Sequence, residues 1–138
     1  MNLLMCPVCR EALHLTEKTW SCVNKHSYDV AKQGYVNLHV VQHKHSKNPG
    51  DTAESVQARR AFLSAGFYAP LQHAVVTKIA ELKINNLLDI GCGEGYYTNA
   101  MQVELQQCIG VDIAKNAVQV AAKLNKKVTW VVGTGATL

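Results

Sequence analysis

The sequence predicts an α/β protein in which a small cysteine-rich N-terminal module precedes the first half of a doubly wound parallel sheet. Three observations carry that expectation. Two pairs of metal-ligating residue types fall within the first 26 positions, and an apolar run at Leu87, Leu88 and Ile90 opens into glycines at alternate positions. Beyond that turn, short β-like segments alternate with helical ones, the pattern of parallel strands joined by right-handed crossovers.

With 138 residues, 48% of them apolar, the chain has room for one ordinary domain or for a module plus part of a larger one. The net charge of +4 is mild, and its excess lies in the first 50 residues, where Arg10, Lys18, Lys25, Lys32, Lys44 and Lys47 face Glu11, Glu17 and Asp29. No apolar run reaches the ~20 residues that span a bilayer, and the N-terminus lacks a signal-peptide pattern. The reading is therefore cytoplasmic, with no membrane partner. Five cysteines in such a chain read as metal ligands or buried thiols rather than as a disulfide framework.

Cys6 and Cys9 span a tight turn, and Cys22 and His26 form a second pair after Trp20. Four ligands of this kind suit a closed tetrahedral Zn2+ site, structural in role because no coordination position stays open. Few apolar residues lie between the pairs, so metal binding has to supply much of the module's folding free energy. A redox pair at Cys6 and Cys9 is the competing reading. It normally needs a preceding βαβ context, which is missing here. His14 is a rival fourth ligand, ranked below His26 because it lies beside neither pair.

The module reads as residues 1–40, with short strands over 27–30 and 31–38. Residues 41–50, polar, basic and ended by Pro49-Gly50, form a linker, either a solvated loop or a phosphate-facing patch. Residues 51–138 hold the rest. A helix over 51–65 starts at Asp51 as N-cap with Glu54 in capping-box position, buries Val56, Phe62 and Leu63, and leaves Arg59 and Arg60 on its outer surface. A second helix, from Pro70 to about Lys83, carries Leu71, Val75, Ile79 and Leu82 on one stripe, the spacing of a face buried against a sheet. Between them Tyr68 reads as a packing residue. Strands are expected over 87–90, 108–111 and 128–132, with helices over 96–105 and 115–124.

Gly91, Gly93 and Gly95 can take φ > 0 and let a ligand approach the backbone, with the amides from Tyr96 onward directed at it. Their G-x-G-x-G spacing matches neither the dinucleotide fingerprint nor the P-loop. Asp89 ends the first strand, where a carboxylate welcomes an ammonium and repels a pyrophosphate. Asp112 follows the second strand at about the separation at which an acid meets ribose hydroxyls. Each could instead be an ordinary cap. Together with the glycine turn they favour S-adenosyl-L-methionine over a nicotinamide dinucleotide.

Taken in order, CPVC, Cys22 and His26, AKQGYVNL, VQHKHSKNPGD, QARRAFL and LLDIGCGEGYYT resemble the bacterial 23S rRNA (guanine-N1) methyltransferases of the RlmA type. The resemblance runs from Cys6 to about Val132. It implies an N-terminal zinc module joined to a Rossmann-like class I methyltransferase domain that acts on N1 of a guanine in a large-subunit rRNA hairpin. Zn2+ on Cys6, Cys9, Cys22 and His26 follows from it, as do cofactor contacts from Tyr68, Gly93 and Glu94, and Asp112 at the ribose. It thereby turns Tyr68 from packing to ligand contact, and the basic module and linker to RNA contact. The implied partners are the rRNA hairpin and, in a homodimer, a second copy. No residue is assigned as the base that takes the N1 proton.

A class I domain needs seven strands by that resemblance, and three are in hand. The chain is thus expected to be a truncated member, marginally stable and without turnover, its first strand lying at an open edge. Two other readings stay open: a non-catalytic zinc-dependent RNA-binding remnant and a nicotinamide-dependent oxidoreductase.

Overall fold

A computed structural model describes residues 3–40 and 52–135. The linker at 41–50 and the Asp51 cap lie outside them. Three short antiparallel strands, β1 (His14–Thr16), β2 (Thr19–Ser21) and β3 (Ser27–Asp29), make the N-terminal sheet. β4 (Tyr35–Asn37) leaves it and pairs in parallel with β7 (Thr129–Val132), so that the second sheet runs β4-β7-β6-β5. Its other members are β5 (Asn86–Ile90) and β6 (Gln107–Asp112), each parallel to its neighbour. Right-handed crossovers supply α3 (Tyr96–Met101), extended by a 3-10 turn at Gln102–Glu104, and α4 (Lys115–Leu124).

The parallel arrangement follows from chain chemistry. β6 and β7 read as near-continuous apolar runs, which suits strands covered on both faces. One face carries Tyr35, Cys108, Trp130 and Val132 and is covered by Val118, Ala121 and Ala122 of α4. Small alanines let α4 approach closely while Trp130 fills the remaining space. Its indole Nε1 donates to the Asn125 carbonyl oxygen at 2.7 Å, satisfying the one polar atom it brings inside.

The other face is covered by the N-terminal module. Leu4, Cys6, Leu13 and Cys22 pack in one cluster with Val36, Leu38, Ile109, Val111 and Val131. That cover stops short of β5. Leu88 and Ile90, in register with Ile109 and Val111, remain 46% and 59% exposed. Among the described residues β5 is thus an edge strand, with Leu88 and Ile90 exposed as expected, while Leu87, expected to lie open with them, packs on the α4 side.

Two helices precede β5: α1 (Ala53–Ser64) and α2 (Ala69–Leu82). α1 starts one residue later than the Asp51 reading places it, because the Thr52 hydroxyl accepts the Ser55 amide at 3.1 Å. With Thr52 as the cap, Glu54 no longer occupies the capping-box position. Val56 and Leu63 are buried, Val56 against Ala114 and Ala117, but Phe62 is 48% exposed. The expected burial of α2 also fails. None of its residues is buried, and Leu71 and Leu82 point to water at 51% and 58% exposure. The helix packs chiefly on the short α3, and a cleft of about 470 Å³ lined by Val76, Ile79, Met101 and Leu105 separates them. The apolar stripe is there; the surface that would cover it is not among the described residues.

Two outcomes test this core. A Cβ on Gly110 would lie 2.6 and 2.7 Å from the Trp130 ring. Gly110→Ala should therefore destabilise the fold by about 1–3 kcal/mol, read as a lower urea midpoint at unchanged slope. Burial first, and then the Asp89 carboxylate, push the Cys108 thiol from 9.0 up to about 11. The unfolded chain loses that proton earlier, so stability should hold below about pH 9 and fall between pH 9 and 11, an effect that Cys108→Ala should reduce.

Candidate functional site

The metal-ligating pairs sit on two tight turns, one closed over four residues and the other over three. Arg10 N donates to Cys6 O at 2.9 Å, and Lys25 N donates to Cys22 O at 3.1 Å. Arg10 and Lys25 both hold positive φ, 69° and 68°, where glycine would be unstrained. The turns bring Cys6, Cys9, Cys22 and His26 together with all ligand atoms within 4.8 Å of one another. Cys9 Sγ lies 3.6 Å from Cys22 Sγ, and His26 Nδ1 lies 3.5 and 3.4 Å from Cys6 and Cys22 Sγ. A tetrahedral zinc with ordinary bond lengths requires edges of about 3.8 Å between sulfurs and about 3.5 Å between sulfur and nitrogen. The donor set fits Zn2+ in both chemistry and size. His14 stands outside it, exposed on β1.

Two of the three thiols are shifted toward the thiolate that a metal needs, while burial raises Cys22. The Asn24 side chain, followed by the Glu11 backbone, lowers the Cys9 thiol below its usual value. Burial acts to raise Cys6, but hydrogen bonds from the Tyr28 hydroxyl and the backbone at Cys9 and Val8 outweigh it and lower that thiol too. Tyr28 itself is pushed upward, first by burial and then by Cys6. Its phenol therefore keeps the proton it shares with Cys6 Sγ at 3.4 Å. Sequence reading missed Tyr28 in this role.

The second site forms where β5 and β6 end. Gly91 N and Cys92 N both donate to Val111 O, at 2.7 and 3.0 Å, folding the glycine turn back over β6. Gly91, Gly93 and Gly95 all hold positive φ. They differ in what surrounds them. A Cβ on Gly95 would strike Trp130 at 2.7 Å, whereas one on Gly91 would meet nothing within 4 Å. Gly95 is thus a packing requirement, and the open space beside Gly91 leaves its backbone approachable.

Asp112 closes the turn. Its Oδ2 accepts the Gly93 amide at 2.9 Å and its Oδ1 the Ala114 amide at 2.8 Å. Each oxygen keeps a further lone pair for a ligand hydroxyl. Asp89 Oδ2 accepts the Thr98 hydroxyl at 2.6 Å, a partner the sequence did not suggest. Glu94 is buried at 5% exposure, and its Oε1 lies 3.7 Å from Arg59 Nε. Arg59 also lies 3.9 Å from where a Gly93 Cβ would sit. Arg59 is exposed, as its outer-surface reading has it, and its guanidinium is in addition drawn to the turn. Such a half-exposed pair adds little stability; its consequence is position.

Tyr68, the other cofactor candidate, caps α2 with its ring edge-on to Phe62 at 5.6 Å. Cys92, between the glycines, is not nucleophilic. Burial, reinforced by the Asp112 and Asp89 carboxylates, pushes its thiol far upward.

Comparison with known proteins meets this geometry at both sites. The family described as "RlmA, N-terminal", a zinc ribbon, matches residues 4–47, and a methyltransferase domain family matches residues 87–138. The chain thus carries a segment similar to the RlmA N-terminal zinc ribbon, followed by one similar to a methyltransferase domain. It is 33% identical over 138 residues to the 23S rRNA (guanine(748)-N(1))-methyltransferase of Streptomyces fradiae, covering 96% of this chain and 48% of that protein. A putative 23S rRNA (guanine-N(1)-)-methyltransferase of Micromonospora griseorubida is 32% identical, with 90% and 48% covered. The chain thus spans about half the length of the curated relatives it matches. Among solved structures, the plantazolicin methyltransferase BpumL, in complex with a pentazolic desmethylPZN analog and SAH, aligns at 20% identity and a TM-score of 0.47. That alignment covers 62% of this chain and 35% of BpumL.

At the zinc ribbon, Tyr28→Phe should weaken zinc binding roughly 10- to 100-fold by removing a hydrogen bond to a ligand sulfur, measured by competition with a chromophoric chelator. Affinity should fall further as pH falls, because protons compete for the thiolates.

Proposed function

We propose that this chain provides the zinc ribbon and the methyl-donor site of a 23S rRNA (guanine-N1) methyltransferase working in the cytoplasm. One observation carries the reading: the glycine turn is ringed by three carboxylates, Asp89, Glu94 and Asp112, against one guanidinium, Arg59. A pyrophosphate entering that field would be repelled, whereas a ligand with a cationic end and a ribose diol would be accommodated. S-adenosyl-L-methionine has both, and when bound it supplies an electrophilic methyl group for guanine N1.

The chain's own residues bind and orient. In this reading Asp112 receives the ribose hydroxyls while fixing Gly93, and Asp89, held by Thr98, faces the ammonium. Gly91 and Gly93 admit the ligand to the backbone, with Glu94 and Tyr68 at its flanks. Cys6, Cys9, Cys22 and His26 hold the zinc that shapes the RNA-facing module, where Arg10, Lys18, Lys25 and Lys32 supply phosphate contacts. Positioning of the two reactants is the main contribution expected of such a site.

A second reading keeps binding without turnover. The basic residues of the module, Arg10, Lys18, Lys25 and Lys32, would serve it unchanged, and RNA affinity without cofactor affinity would be its signature.

Calorimetry decides between them. S-adenosylhomocysteine should bind the zinc-loaded chain, and Asp112→Ala should weaken that binding by at least about tenfold, since charge-assisted hydrogen bonds are worth roughly 1.5–3 kcal/mol. An absence of heat with S-adenosylhomocysteine alongside measurable binding of an RNA hairpin would overturn the proposal in favour of the second reading, and heat with NADH in its place would overturn both.

A further inference from the structure

The joint between α1 and α2 exposes three aromatic rings that neither zinc binding nor core packing explains. Phe62, Phe67 and Tyr68 are 48%, 71% and 45% exposed. Phe62 and Phe67 stack with centroids 5.2 Å apart and planes 17° from parallel, and Tyr68 meets Phe62 edge-on at 5.6 Å. Contiguous exposed aromatic surface of this kind marks a binding site more often than a chance surface.

The cluster is held in place. Val56 and Leu63 are buried elsewhere on α1, Ala69 N donates to Gly66 O at 3.2 Å, and the Gln72 side-chain amide donates to Tyr96 O at 2.7 Å. That last bond ties the start of α2 to the helix that follows the glycine turn. Phe62 also lies three residues beyond Arg59, on the same face of α1, and Arg59 touches Glu94 and the Gly93 backbone. Phe62 thus stands one helical turn, about 5 Å along α1, from Arg59, whose side chain reaches the cradle.

We propose that Phe62 and Phe67, with Tyr68 at their edge, form a stacking platform for an unpaired purine of the RNA substrate. The inference rests on the methyltransferase reading and names the part of the site that receives the base. A base inside a hairpin has to leave its stack before its N1 edge can be reached. Aromatic faces beside the cradle replace the stacking it loses, and the half-exposed Arg59, one turn before Phe62 on α1 and shared with Glu94, lends positive charge on that side. A saturated acyl chain would use the rings as apolar surface alone and would gain nothing from the Arg59 charge.

The test uses the zinc-loaded 138-residue chain and a synthetic RNA hairpin with 2-aminopurine at an unpaired loop position. Binding should quench the 2-aminopurine fluorescence. Phe67→Ala and Phe62→Leu should abolish the quench and weaken hairpin affinity roughly 5- to 100-fold each, the range for one base-aromatic stack. S-adenosylhomocysteine affinity should be unchanged in both, and Leu82→Ala, exposed at the far end of α2, should behave as the wild type. Undiminished hairpin binding and quenching in both variants would overturn the platform and leave the methyltransferase reading intact. So would an equal loss of S-adenosylhomocysteine binding, which would make the rings part of the cofactor floor. A dimer that Phe67→Ala dissolves, with RNA affinity unaltered, would identify a protein interface instead. A wild-type chain that binds neither hairpin nor S-adenosylhomocysteine would remove both readings together.

Discussion

The structure depends on one shared core, in which a metal-ligating module and a parallel sheet bury each other. Cys6 and Cys22 belong both to the ligand cluster and to the apolar layer formed with Ile109, Val111 and Val131. A module of 40 residues with three-residue strands cannot pay its conformational entropy from its own apolar contacts. The sheet, for its part, needs cover on the face opposite α4. Zinc fixes the module's shape, and the module in turn covers β6 and β7. Metal affinity and sheet stability are consequently linked, because whatever binds the folded module stabilises the surface packed under it.

The same economy shapes the glycine turn. Asp112 is the residue a ligand's ribose would meet, yet it also holds Gly93 and Ala114 in place. Binding and loop geometry are therefore one interaction. Asp89 differs in having its orientation set from α3, through Thr98. Two carboxylates at the ends of adjacent strands are in this way fixed by different elements, and the cradle between them is shaped before any ligand arrives.

Much of this was legible in the chain. The spacing of Cys6, Cys9, Cys22 and His26 pointed to a closed metal site because ligand reach over a short turn is a local property. The apolar runs of β6 and β7, and α4 over 115–124, emerged for the same reason. What was hidden is non-local. β4, three residues long, offers no sign that it will join a strand more than ninety positions away. The attraction of Arg59 to Glu94 depends on how α1 crosses the sheet, and the Thr98 bond to Asp89 depends on α3 standing over β5. The α2 stripe misled because periodicity shows which face is apolar but not whether anything lies against it. Thr52 caps α1 although Asp51 is as good a candidate by type, since sequence does not rank adjacent capping residues.

The pairing of β4 with β7 also orders events during synthesis. Tyr35 to Asn37 leave the ribosome early, but their partners Trp130 to Val132 are made some ninety-five residues later. At about 5–20 residues per second, that gap lasts roughly 5 to 20 seconds. The ribbon's own hairpins and metal site close from contacts local to the first thirty residues, so zinc can be captured while the sheet is still unmade. During that interval the module's Leu4 and Leu13 face has no cover. A nascent chain of this design carries its metal before it has its fold, and its exposure to chaperones and proteases is set by elongation speed rather than by the stability of the finished protein.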